Sequence, residues 1–108
     1  MPSEAAALPL IAPAWPGEPP PGVGAAMSTR QGGVSTAPWH SLNLGVAVGD
    51  APEAVAHNRA RFAEALGARP VWLRQVHGTR VLRLEATTPE HPPEPADAAW
   101  TTVPGIAC

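Results

Sequence analysis

Proline constrains this chain more than any other feature. Six prolines fall between Pro9 and Pro21, and four more between Pro89 and Pro95. Each locks its own φ and deletes a backbone donor, so neither stretch can form a helix or sit inside a sheet. The first, headed by the apolar run Leu8 to Ala12, reads as an edge strand followed by a loop. The second, within residues 86–96, reads as a Pro-rich loop. Residues 1–8 are expected to be disordered. Fifteen prolines and ten glycines in 108 residues leave room for one small domain or part of one.

The remaining segments carry regular structure. Residues 23–29 read as a short strand of small side chains, closed by a turn at Arg30-Gln31-Gly32-Gly33. Residues 34–49, poor in charge and rich in Ser, Asn and Gly, read as an ordered loop. Asp50-Ala51-Pro52-Glu53 then announces a helix. Asp50 is placed to cap, Pro52 falls in the first turn where its missing N–H costs nothing, and Glu53 can reach back from N3. Val55, Phe62 and Leu66 follow at helical spacing and Gly67 supplies the stop, which predicts a helix over about 51–66. Pro70 to Leu73, Arg80 to Glu85, Asp97 to Thr102 and Val103 to Cys108 read as strands. The order predicts an α+β fold, a mixed sheet with one clear helix in a layered α/β domain. The chain stops at Cys108 directly after an apolar run, so that domain is expected to be incomplete at its C-terminal end.

Charge narrows the partners. The formal net charge is −2, all seven basic residues are arginines, and they are scattered. That offers no footprint for nucleic acid or an anionic membrane. No apolar stretch approaches the roughly 20 residues of a membrane span. A single Cys and the lack of a charged N-terminal start point to the cytoplasm.

The titratable stock is four His, one Cys and nine carboxylates, without HExxH, CxxC, a Walker loop or GxSxG. His77 differs from its fellows because it sits at a strand–turn–strand junction before Gly78, where a ring can project from a sheet end as ligand or base. His57 reads as solvated helix surface, His40 as a loop residue without an assigned role, and His91 as exposed. Cys108 reads as a small hydrophobe in a buried strand. Arg30 beside the Gly-Gly turn suggests a guanidinium and backbone N–H groups gathered for an anion. Asn43 and Ser41 suit either a ligand or the loop's own backbone.

Five ordered motifs together carry a resemblance. They are S-T-R-Q-G-G-V-S at 28–35, P-W-H-S-L-N-L-G at 38–45, V-G-D-A-P-E-A-V at 48–55 with N-R at 58–59, P-V-W-L-R-Q-V-H-G at 70–78, and A-D-A-x-x-T at 96–101. In this order the chain resembles the purine nucleoside phosphorylase family formerly called multicopper polyphenol oxidases or laccase-domain proteins. The resemblance implies an N-terminal part of a single domain over 1–108. It implies phosphorolysis of adenosine, inosine and methylthioadenosine, adenosine deamination, and in some bacteria peptidoglycan editing.

It also implies a zinc site of two His and one Cys, with copper in the older oxidase reading. His77 in Q-V-H-G matches one ligand. The other two belong to T-A-D-C and H-A-G-W-R-G strings that do not occur in these residues, and Cys108 is not the ligand Cys. Arg30 is a candidate for phosphate; Asn43 and Gln75 are candidates for substrate contact. The chain alone is expected to be inactive. Two alternatives stand beside this reading: a copper-dependent polyphenol oxidase, and a non-enzymatic Pro-rich interaction module carried by Pro19-Pro20-Pro21 and residues 92–95.

Overall fold

Backbone pairing is sparse and short-ranged along each strand, and among the described residues one helix interrupts it. A computed structural model describes residues 8–108; the segment expected to be disordered lies outside that range except for Leu8, which is buried. The fold is a small mixed α/β arrangement that divides into two compact units, the first running to Leu66 and the second from Gly67.

In the first unit, β1 (Leu10–Ile11) pairs antiparallel with β2 (Met27–Ser28), Leu10 facing Ser28 and Ile11 facing Met27. The Pro-rich connection between them forms no further strand. After β2 the chain runs irregularly to α1 (Pro52–Leu66). The Ala51 carbonyl accepts the N–H groups of Ala54 and Val55 at 3.0 and 3.1 Å, which makes Ala51 the N-cap and Pro52 the first helical residue. Asp50 therefore stands one residue outside the cap, and Glu53 lies at N2 instead of N3. Gly67, at φ 67°, takes the left-handed turn that ends the helix.

The core of this unit is Leu8, Leu42 and Val55, joined by two polar side chains, Ser35 and Asn58. Phe62 and Leu66 are half-buried. Asn58 has no exposed surface and ties the irregular segment to α1. Its Oδ1 accepts the Val34 N–H at 2.9 Å, and its Nδ2 donates to Ser35 Oγ and to the Asn43 carbonyl, each at 2.9 Å. The loop passes so close that a Cβ on Gly33 would meet the Ser41 carbonyl oxygen and stand 2.6 Å from Leu42 Cα. Only glycine fits there.

The second unit carries two parallel pairs. β3 (Arg69–Pro70) pairs with β6 (Ile106–Ala107), and β4 (Val81–Arg83) with β5 (Ala98–Trp100). Pro70 is tolerated because of its phase. The Arg69 and Val71 N–H groups on either side donate to Gly105 and Ala107 at 2.8 and 3.0 Å, so the missing donor of Pro70 faces away from β6. Leu84, Ala96 and Val71 form its core. The segment 86–96 is a loop held by a bridge between Arg74 and Pro95 and by the Arg80–Glu94 ion pair at 3.2 Å.

The mixed α/β expectation holds, with the strands, each two or three residues long, pairing two by two among the described residues. One sequence expectation needs correction. Cys108 is exposed, since β6 ends at Ala107 and leaves the last residue without a covering partner. No helix among the described residues is long and apolar enough to cross a membrane.

Candidate functional site

Arg30 follows β2 and is exposed. Its Nε donates to the His40 carbonyl and a terminal nitrogen lies against His40 Nε2, both at 3.1 Å. A guanidinium has no acceptor, so Nε2 accepts and the imidazole carries its proton on Nδ1 in this contact. The remaining guanidinium N–H groups stay open to solvent. The Gly32 and Gly33 N–H groups converge on Ser41 Oγ at 3.1 and 3.2 Å, and that hydroxyl donates to the Arg30 carbonyl at 3.2 Å. Ser41 thus occupies the concavity that the Gly-Gly turn suggested for an anion, and the guanidinium alone faces outward.

Asn43 is used by the loop that contains it. Its Nδ2 donates to the Gly45 carbonyl and to Asp50 Oδ2 at 3.1 Å each, and its Oδ1 accepts the Gly45 N–H at 3.1 Å. Asp50 Oδ2 also accepts from Ser35 Oγ. Those hydrogen bonds, from Ser35 first and Asn43 next, hold the Asp50 carboxyl below the usual carboxylate range. A groove of about 360 Å³ opens beside the start of α1, between Val34, Asp50, Glu53 and His57.

Gln75 and His77 lie in the second unit, in the turn between β3 and β4. Both are exposed. Neither side chain makes a hydrogen bond among the described residues. His77 has φ 58°, the one positive value at a non-glycine among the described residues. The hydrogen bonds that accompany it come from twenty residues further on. Asp97 Oδ1 accepts the N–H groups of Val76 and His77 at 3.0 and 2.9 Å, and Oδ2 accepts that of Gly78 at 2.6 Å. Three successive N–H groups form an anion nest, and the chain fills it with its own carboxylate. The Gly78 N–H, then that of His77, hold Asp97 below the usual carboxylate range.

For a resident metal, His77 offers an exposed imidazole with both ring nitrogens unengaged, which suits one donor position of a zinc site. No group of three His, Cys, Asp or Glu side chains that could hold a metal stands together among the described residues. The donor set is therefore partial.

Sequence reasoning placed His77 at the junction where it is found. It passed over His40, which braces Arg30, and over Asp97, which appeared only as the start of a strand segment and inside the A-D-A-x-x-T string. Nothing local marks either one. A carboxylate near the start of a strand reads as surface until its three donors, nineteen to twenty-one residues away, are seen.

Residues 24–108 match a family model described as multi-copper polyphenol oxidoreductase laccase. The chain is 47% identical over 98 residues to purine nucleoside phosphorylase PA4543 of Pseudomonas aeruginosa, covering 91% of this chain and 38% of that one. It is 48% identical over 101 residues to purine nucleoside phosphorylase YfiH of Escherichia coli K12, covering 92% of this chain and 40% of that one. The crystal structure of Neisseria meningitidis protein NMB0706 superposes with a TM-score of 0.77 at 36% identity over 90% of this chain and 38% of that chain. YlmD from Geobacillus stearothermophilus gives 0.69 at 32% identity over 80% and 36%.

Proposed function

Because this chain belongs to the multi-copper polyphenol oxidoreductase laccase family, we propose that it forms part of a purine nucleoside phosphorylase, its 108 residues spanning about two-fifths of the length of the relatives so named. The observation that carries this reading is the near-half identity to two such relatives across nine-tenths of the chain. The substrates are purine nucleosides, namely adenosine, inosine and methylthioadenosine, together with phosphate; adenosine deamination is the second activity. The working compartment is the cytoplasm.

Phosphorolysis needs cationic donors for the attacking phosphate and a proton for the departing base. Arg30 supplies the first: its exposed guanidinium, oriented by His40, keeps free N–H groups for phosphate oxygens. Gln75, exposed and unengaged beside His77, is the better placed of the two amide candidates for substrate, since a ligand would have to displace Asn43 from Gly45 and Asp50. His77 is one zinc donor, and a Cys and a second His from outside these residues complete the set. A zinc ion bound there would polarise the attacked centre or acidify a bound water.

The test is hypoxanthine release from inosine by a protein of the relatives' full length that carries these residues. Release should depend on phosphate, and Arg30→Ala should raise the KM for phosphate about tenfold or more, the loss of a charge-assisted hydrogen bond. The 108 residues alone should show no turnover. The family's description favours a second reading, copper-dependent phenol oxidation. Phenol turnover without nucleoside turnover would replace the first reading with the second.

A further inference from the structure

We propose that Asp97 is the positioning residue of His77, fixing the left-handed backbone from which the imidazole projects. The proposal rests on the reading of His77 as a site residue. A left-handed backbone is disfavoured for a residue with a Cβ, and histidine keeps it only where the surroundings over-determine it. Here they do. The Val76, His77 and Gly78 N–H groups all point to one carboxylate at 3.0, 2.9 and 2.6 Å.

That carboxylate is itself anchored. Asp97 immediately precedes β5, whose parallel register with β4 sets Ala98 against Val81, and its own N–H reaches the Arg80 carbonyl at 3.4 Å. The strand pair therefore holds the acceptor, the acceptor holds the turn, and the turn sets the direction of the ring. Two oxygens are needed, because Oδ1 is shared by two donors while Oδ2 takes the third. An amide at this position would set its NH₂ against the Gly78 N–H or against the other two, and the nest would lose at least one bond.

A merely structural carboxylate would stabilise the turn without governing His77, and the experiment separates the two. In the wild-type protein at the relatives' full length, His77 should show the strong intraresidue HN–Hα Overhauser effect of a positive φ; a weak one overturns the proposal with no variant required. In Asp97→Asn and Asp97→Ala, that effect should weaken and the Val76 to Gly78 amide resonances should move. Zinc affinity or kcat for inosine should fall about ten- to hundredfold, the usual consequence of disturbing a group that orients a ligand. Asp97→Glu should recover part of the loss. Folded variants that keep the His77 signal and the zinc affinity overturn the proposal. If the wild-type protein neither binds zinc nor cleaves inosine, the functional reading fails, while the His77 backbone signal and its response to Asp97→Asn still decide this one.

Discussion

Asn58 shows how one polar side chain can hold an irregular segment of chain. It is fully buried, and its three hydrogen bonds reach Val34, Ser35 and Asn43 across fifteen to twenty-four residues of chain. Asn58→Ala strands the Val34 N–H and the Asn43 carbonyl, and should cost about 1–3 kcal/mol. Asn58→Asp should cost more at neutral pH, since it buries a charge and turns an acceptor toward the Asn43 carbonyl. Denaturant midpoints of the two variants check the order; an unchanged midpoint in both would sink the assignment. Asp50 adds a pH dependence of known sign. Its folded pKa lies below the ordinary 3.8, so its contribution to stability is complete above that value and is lost as pH falls through the folded pKa. The melting temperature should therefore fall more steeply below pH 3.8 in the wild type than in Asp50→Asn. Parallel acid limbs would refute this.

Among the elements, α1 was the most legible. Pro52 and Gly67 bracket it in the sequence, and the helix occupies Pro52–Leu66. Its start differs in detail, because Asp50 spends its carboxylate on Ser35, Asn43 and the Ala51 N–H instead of capping the first turn. That leaves an exposed alanine at the N-cap. Ala51→Ser should add the missing acceptor and stabilise the chain by about 0.5–1 kcal/mol, read as a rise in melting temperature; a fall would mean that Ala51 is not the cap. The face of α1 was only half legible. Val55 is buried as its spacing suggests, but the other buried position is Asn58, which by residue type reads as surface. All strands but β3 lie inside the predicted segments yet are shorter, and β3 begins one residue before its segment, at Arg69, because propensity marks where a strand can form and only a partner decides where and how far it pairs.

At the scale of the molecule, each unit has a small core, Leu8, Leu42 and Val55 in one and Val71, Leu84 and Ala96 in the other, while Met27, Val81 and Trp100 on the strands remain exposed. Irregular backbone makes up much of the chain, and its order comes from side-chain-to-backbone hydrogen bonds such as those of Ser41, Asn58 and Asp97. The sequence by itself determined the bounds of α1, the places where proline forbids regular structure, the order of the strands, and the motif set that marks the family. Those features act on neighbouring residues, through φ, through spacing and through the bare order of side chains. Tertiary structure decided that Ser41 fills the Gly-Gly turn, that His40 braces Arg30, and that Asp97 holds His77 in its left-handed conformation. Each of these joins groups eight to twenty-one positions apart, and a hydrogen bond forms only where the fold brings donor and acceptor within about 3 Å.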